Sequence, residues 1–289
     1  MKKIMIIILI AISAILTTCI LINVLGKNKT DYCISNRMIN NYTVGDNERR
    51  ISQVLYFNRD NIYNNSDIVN SISFIDEENG SILKLKINNI KKTGYVHKYK
   101  GVKYNSYVYD LTIPQISNDL YFENCKLEII SEDHFLYVPI GEVSIKYDEF
   151  NDSNKPIIVN KLEGSCAYEP YQTLSKVKMS LENKTNNNIT ILSMNMGGMV
   201  DLVNDFSDSI IYNNTNTSID ETIIGYMEKD IELSLSYKAR LMLKESYIEI
   251  KYSDINGEHT VYIDTFNYYD NGYKLPESDD LINSFKFKV

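Results

Sequence analysis

The chain has 289 residues, with 30 basic and 38 acidic side chains, a formal net charge of −8, three histidines, four cysteines and no tryptophan. This acidic balance disfavours binding to nucleic acid and to other polyanions. The sequence lacks the HExxH, CxxC and GxSxG patterns of metal and nucleophile sites and the GxGxxG and P-loop patterns of nucleotide sites. We therefore expect no cofactor and no catalytic metal.

The N-terminal segment predicts a membrane anchor. After a cytoplasmic tail of residues 1–3, residues 4–26 carry no charge, and a helix of this length can cross roughly 30 Å of hydrocarbon. Because no small-residue cleavage site follows, we expect an uncleaved signal anchor with a single pass and the C-terminal bulk outside the cytoplasmic membrane. Without the four lysines that flank this segment, 26 basic and 38 acidic residues remain, a charge of −12.

A second interpretation of the N-terminus is lipidation of Cys19, which follows Leu16, Thr17 and Thr18 as the modified cysteine of a bacterial lipoprotein would. The apolar residues after Cys19 argue against it, because a lipoprotein usually turns polar there. Under both interpretations the bulk of the protein lies outside the membrane.

Residues 27–66 predict a stalk or linker between the anchor and the first folded module. The segment is rich in asparagine, and its one apolar run, Val54–Phe57, is expected to pair with the first module as an extra strand. Its arginines allow an alternative, a basic patch near the membrane that would contact anionic lipid.

The remainder of the chain contains one module twice. Residues Tyr121–Tyr147 recur without a gap as Tyr226–Tyr252, and seven of the 27 aligned positions are identical. Extending the match in both directions gives copies at 67–160 and 173–265, joined by a linker at 161–172. Each copy is long enough to form its own hydrophobic core.

Both copies are predicted to be β structure. Apolar and charged residues alternate along Leu83–Ile87 and Ile248–Tyr252, which places the apolar set on one face of a strand. Asn79–Gly80 and Asn256–Gly257 are typical of tight hairpin turns, because both residue types tolerate positive φ angles. We therefore expect an all-β chain with one two-sheet sandwich per copy. Residues 266–289 are expected to form an extension with a closing strand.

A resemblance follows from three runs in the second copy: Ser180–Ile191 (SLENKTNNNITI), Ile231–Leu235 (IELSL) and Tyr247–Tyr252 (YIEIKY). They resemble the immunoglobulin-like β-sandwich modules of membrane-anchored surface proteins of Gram-positive bacteria. The resemblance implies a binding or spacer module in the cell envelope and carries no functional residue across. The tryptophan and cysteine pair of antibody domains are missing.

The two copies differ most in one loop region, and loops on a shared scaffold often determine specificity. The first copy has a basic, tyrosine-rich hairpin at Lys91–Leu111, whereas the second has the acidic segment Gly197–Glu221. The hairpin could stack on sugars or hold anionic groups. Ordinary cross-strand aromatic packing is the alternative. The candidate ligand-binding residues are Tyr95, His97, Lys98, Tyr99, Lys100, Lys103 and Tyr104.

Two further sites are weaker predictions. Asp201, Asp205 and Asp208 could gather on one loop and bind calcium, although solvated acidic residues are the simpler interpretation. Cys33 and Cys166 lie in predicted connecting segments and are the expected disulfide pair, since Cys125 has no equivalent in the second copy.

These features predict a non-catalytic, membrane-anchored binding or spacer protein of the cell envelope. Its expected partners are the cytoplasmic membrane, through the N-terminal helix, and an envelope protein or glycan. Self-association is a further expectation, with the basic loop of one molecule meeting the acidic loop of another. The alternative function is a wall-active hydrolase or processing enzyme that uses carboxylates in a cleft between the modules.

Overall fold

A computed structural model describes most of the chain beyond the N-terminal segment. The described residues are 31–150, 154–167, 173–196, 200–202, 221–237, 242–245, 247–264 and 282–287. The expected anchor at 4–26 and Cys19 lie outside them. Among the described residues, none belongs to a helix of the length and apolarity that crossing a bilayer requires.

The described chain is all-β, as predicted, with one short 3-10 turn at Ile62–Asn64. The strands of its first half are β1 Asp31–Asn36, β2 Met38–Val44, β3 Arg49–Phe57, β4 Val69–Asp76, β5 Ser81–Tyr99, β6 Val102–Ile113, β7 Leu120–Ser131 and β8 His134–Tyr147. The strands of its second half are β9 Ile157–Ala167, β10 Thr173–Asn183, β11 Ile189–Met196, β12 Val200–Leu202, β13 Glu221–Ile223, β14 Glu228–Tyr237, β15 Met242–Glu245, β16 Tyr247–Asp254, β17 Gly257–Asp264 and β18 Ile282–Phe287. The turns predicted at Asn79–Gly80 and Asn256–Gly257 join β4 to β5 and β16 to β17.

The first half forms one continuous sheet that encloses a hydrophobic core. In the described residues its strand order is β15-β2-β8-β7-β4-β5-β6-β3-β1-β18. Cys33 of β1 and Val44 of β2 belong to the same buried cluster although their strands lie near opposite ends of this order. A sheet can bring such strands together only by curling on itself, and the 19-residue strand β5 runs through the turn of the curl.

The expected stalk at 27–66 is wrong for its described part, because three strands of this sheet come from it. Strand β3 pairs with β6, so the run Val54–Phe57 does add a strand to the first copy. Strand β2 is buried at every position, including Asn40 and Asn41. Asparagine-rich composition suggested a solvated linker, but long-range pairing buries this segment.

The second half forms two four-stranded sheets around a separate core. Their orders are β12-β14-β10-β9 and β13-β11-β16-β17, and Val177, Leu181, Ile191 and Val261 are fully buried between them. With β9 as strand A, the first order corresponds to A-B-E-D and the strands β11-β16-β17 to C-F-G of an immunoglobulin constant-type domain, with β13 as an additional strand beside β11. The sandwich begins at Ile157, so part of the expected linker at 161–172 belongs to β9.

The two copies pair their strands differently, so the first copy is not the expected two-sheet sandwich. Strand β4 forms a hairpin with β5, whereas the corresponding strands β10 and β11 lie in different sheets. The hairpin turn contains Gly80 at φ +72°, and Asn186 occupies the equivalent position in the second copy. There the buried Asn183 amide donates to the carbonyls of Asn187 and Ile223 over 2.7 and 3.0 Å, which holds a wider loop.

Strand β2 belongs to both halves of the molecule. It pairs in parallel with β8 of the first copy and with β15 of the second. The side chain of Ile39 is fully buried in the second core, while Tyr42 and Val44 are buried in the first. The Arg49 guanidinium lies 3.3 Å from the Glu245 carboxylate across the same junction. The expected tandem modules are therefore joined by a shared strand.

The C-terminal strand also departs from a simple tandem order. Strand β18 pairs with β1 in antiparallel register, from Asp31 opposite Phe287 to Asn36 opposite Ile282. The closing strand predicted in the extension at 266–289 thus completes the first sheet, after the chain has passed through the whole second copy.

The expected disulfide between Cys33 and Cys166 is wrong. Cys33 is a free thiol with no exposed surface, because strand alternation points it into the first core. Cys125 is a second free buried thiol. Burial raises the pKa of both thiols, so both are neutral and unreactive in the folded protein.

Replacing Gly141 by alanine should destabilise the protein by at least about 3 kcal/mol, measured by denaturant unfolding. Gly141 has φ +103°, and a Cβ there would lie 2.1 Å from the Met38 carbonyl oxygen of β2. The parallel pairing of β2 with β8 would have to shift.

Gly80→Ala is the matched control, since Gly80 also has a positive φ but has nothing within 4 Å of a Cβ. It should cost only roughly 1–2 kcal/mol from backbone strain. Equal losses in the two variants would show that the contact with Met38 is unimportant.

Candidate binding surface

The basic hairpin predicted from the sequence is the β5–β6 hairpin. Its turn is Lys100–Gly101, with φ values of 46° and 84°, between the paired residues Tyr99 and Val102. Two successive positive φ angles define a type I′ turn, which matches the twist of a hairpin. The register shifts between Lys92 and Val96, and a bulge of this kind bends a strand locally.

One face of the hairpin end packs on the outer surface of the first sheet. Tyr104 is 2% exposed and forms a cluster with Ile34 and Tyr56. Its hydroxyl hydrogen-bonds with the Ser284 side chain of β18, and burial raises the pKa of Tyr104. Since β3 and β1 lie between β6 and β18 in the sheet, the hairpin end must fold over those strands to make this contact.

His97 and Tyr99 belong to the same packed face. The His97 ring meets the Tyr56 ring edge-on with 5.1 Å between centroids, and Tyr99 and Val102 pack against the cluster. For His97, Tyr99 and Tyr104 the structure therefore favours the packing interpretation over a ligand-binding role.

The other face is basic and exposed. Lys98 and Lys103 lie directly opposite each other on neighbouring strands, and both are exposed. Lys100 at the turn places its ammonium 4.9 Å from the Tyr99 ring centroid. Tyr95 and Val96 are 51% and 59% exposed. Val96 is not among the residues predicted from the sequence, although its spacing of two from Lys98 places it on the same face.

Like charges directly opposite each other on paired strands are destabilising. In the part of the chain that the structure describes, neither Lys98 nor Lys103 has a carboxylate within 4.0 Å. The hairpin end therefore presents two ammonium groups that no nearby carboxylate neutralises, and the buried Tyr104 fixes this end to the sheet. Such an arrangement can hold an anionic group.

The base of the hairpin is neutralised by an ion pair. Lys92 Nζ lies 2.8 Å from Asp60 Oδ1, and the Tyr107 hydroxyl also donates to Asp60. The hydrogen bond from Lys92, followed by that from Tyr107, lowers the pKa of Asp60. Burial raises the pKa of Tyr107. Lys92 at the base of the hairpin is thus paired with a carboxylate, whereas in the described part of the chain Lys98 and Lys103 at its end are not.

The other predicted sites gain no support. Asp201 lies in β12, and Asp205 and Asp208 lie outside the described residues. No group of three potential metal-ligating side chains occurs within the ranges that the structure describes.

A shallow pocket of about 280 Å³ lies on the sheet of β9, β10 and β14, and its lining includes Glu163 and Asp230. Lys161 pairs with Glu163 at 3.0 Å. The pocket therefore differs from the carboxylate cleft between modules that a hydrolase would need.

No protein-family model matches the chain, and the comparison with curated proteins gives no match. Among solved structures, the chain is similar to the C-terminal domain of the Streptococcus agalactiae AgI/II polypeptide BspA, with 9% identity over 81% of this chain and 99% of that chain and a TM-score of 0.23. The titin immunoglobulin tandem domains A164-A165 give 11% identity, 82% and 96% coverage and a TM-score of 0.20. The Pseudomonas aeruginosa CupB2 chaperone gives 9% identity over 80% of this chain and 98% of that chain, with a TM-score of 0.17. TM-scores this low carry no conclusion about fold or function.

Tyr104→Ala should lower the free energy of unfolding by about 3–5 kcal/mol, because it empties a buried aromatic site between the hairpin and the sheet. Tyr95→Ala is the control from the same hairpin and should change stability by less than about 0.5 kcal/mol. Chemical denaturation of the two variants measures both effects. A small loss for Tyr104→Ala would contradict the packed position of the hairpin end.

The Asp60 ion pair predicts a stability change in acid. The pKa of Asp60 is lower in the folded state than its ordinary value, so this contribution is fully present at neutral pH and is lost as pH falls through the folded pKa. Melting temperatures measured between about pH 5 and pH 2.5 should fall less steeply for Asp60→Asn than for the wild type.

Lys92→Met should flatten the same pH dependence, because it removes the main cause of the pKa shift of Asp60. Unchanged slopes in both variants would show that this pair does not contribute to acid unfolding.

Proposed function

We propose that the protein is a non-catalytic, single-pass membrane protein of the cell envelope whose β modules lie outside the cytoplasmic membrane and serve as a binding or spacer unit. Residues 4–26 form the anchor. The second copy is an immunoglobulin-like sandwich, and the first is a curled sheet completed by both ends of the folded chain. The partner beyond the membrane is an envelope protein or a glycan.

The sharing of strand β2 carries this proposal. Hydrogen bonds from one strand to β8 and β15 couple the two copies through the backbone, and Ile39 adds an apolar contact in the second core. A spacer has to hold its modules in a defined arrangement, and a strand common to both copies does so better than a flexible linker.

A second set of contacts reinforces the junction from the segment between β8 and β9. Lys155 Nζ lies 3.1 Å from Asp148 and donates to the Tyr262 carbonyl of β17 over 2.9 Å. Both charged side chains are largely buried, so solvent screens this pair less than a surface pair. The end of β8 is thereby tied to the second sandwich.

Ile39→Ala tests the coupling. It should destabilise the second copy by about 2–5 kcal/mol although Ile39 precedes that copy by more than a hundred residues. Native-state hydrogen exchange should report faster opening of β10, β11 and β16.

Ile51→Ala is the matched control, since Ile51 is buried in the first core alone. It should accelerate exchange in the first sheet and leave β10 and β11 unchanged. The same exchange pattern in both variants would argue against coupling through β2.

The membrane assignment is tested with the full chain in a Gram-positive host. Alkaline carbonate should leave the protein in the membrane pellet, and protease added to intact protoplasts should digest its C-terminal bulk. Release of an unlipidated protein by carbonate would exclude an anchor, and a mature protein that begins with a lipid-modified Cys19 would replace the spanning helix.

A further inference from the structure

The end of the basic hairpin lies beside the first described residues of the chain. Tyr32, the second residue of β1, packs in the same cluster as Tyr99 and Val102. Lys286 of β18 lies opposite Tyr32 in register and places its ammonium 5.7 Å from the Tyr32 ring centroid. Lys286 therefore lies beside the start of β1, and the hairpin that carries Lys98 and Lys103 packs in the same cluster as Tyr32.

The length of chain that precedes β1 limits the distance of this surface from the proposed anchor. Residues 27–30 separate the end of the uncharged segment from Asp31. Four residues span at most about 14 Å when fully extended. The hairpin end is therefore held close to the bilayer surface, because Tyr104 of the hairpin belongs to the cluster against which Tyr32 packs.

The composition of the exposed face suits a membrane surface. Lys98 and Lys103 supply paired positive charge, and Val96 adds an aliphatic side chain that is 59% exposed. Tyrosines are enriched at the level of lipid headgroups, and Tyr95 is half exposed on the same hairpin. Each lysine near an anionic bilayer contributes attraction, and screening confines this effect to about 10 Å.

We propose that the hairpin end, residues 95–104, docks on the anionic lipid surface next to the anchor, with Lys98 and Lys103 contacting lipid phosphates and Val96 entering the headgroup layer. This inference rests on the proposed anchor at 4–26. Together the anchor and the hairpin give the first module two attachments to the membrane, which orient it relative to the bilayer.

The test uses the full chain reconstituted in vesicles, with a photo-crosslinking amino acid in place of Val96. One vesicle set is phosphatidylcholine, and the other contains about one third phosphatidylglycerol. Illumination should give lipid adducts in the anionic vesicles and few in the neutral ones. Replacing one lysine by glutamine should reduce the adduct yield up to about fivefold, and Lys98→Gln with Lys103→Gln up to about 25-fold.

Ile255 is the matched control position, because it is 77% exposed in the β16–β17 turn of the second copy. A crosslinker at Ile255 should give no lipid adducts above background. Equal yields at the two positions, or equal yields in neutral and anionic vesicles, would overturn the docking. A soluble glycerol phosphate polymer that competes at equal phosphate concentration would identify a wall polymer as the partner and would also overturn it.

Flotation of the vesicles separates failure of the docking from failure of the anchor. Carbonate-resistant flotation without adducts at Val96 leaves the anchor in place and rejects the docking. Loss of flotation in both vesicle sets rejects the anchor, and the docking with it.

Discussion

The hydrogen-bonding requirement of one buried strand determines how this molecule is assembled. Strand β2 is buried at all seven positions, and a buried backbone must find partners for its amide and carbonyl groups. It finds them on β8 along one edge and on β15 along the other. Without β2, β8 would be an unprotected edge and the second core would lose Ile39, so the N-terminal strand completes both copies.

Burial of β2 also lowers stability, because it removes polar side chains from water. Asn40 Oδ1 accepts hydrogen bonds from Tyr42 and Gln53 within the first copy, whereas the fully buried Asn41 amide has no hydrogen-bond partner among the described residues. Glu142 on β8 is 4% exposed, and burial raises its pKa. Apolar side chains at Asn41 and Glu142 would be more stable, because the Asn41 amide and one carboxyl oxygen of Glu142 lack hydrogen-bond partners among the described residues. The strand is held instead by its backbone pairing and by the buried side chains of Tyr42, Val44 and Ile39.

Local patterns predicted what local physics controls. The structure contains the strand predicted from alternation in Leu83–Ile87 and the hairpins predicted from the Asn-Gly turns. Strands and tight turns of this kind depend on neighbouring residues alone. Local patterns do not reveal β2, whose burial arises from pairing with β8, about a hundred residues away in the sequence, and with β15. They also could not distinguish Tyr104 from Tyr95, since both lie in one tyrosine-rich hairpin and only the fold over β1 and β18 buries Tyr104. The two copies also differ after their first equivalent strands, since Gly80 lies in a hairpin turn whereas β10 and β11 lie in different sheets.

The pairing of β1 with β18 has a consequence for biosynthesis. Closing a loop of about 250 residues costs on the order of 5 kcal/mol in chain entropy, and it joins the first and last described strands. Because β18 follows every other described strand in the chain, one edge of β1 remains unpaired until β18 has been synthesised. The first module is therefore completed only after the strands of the second, and a truncation that removes β18 would leave an open sheet edge.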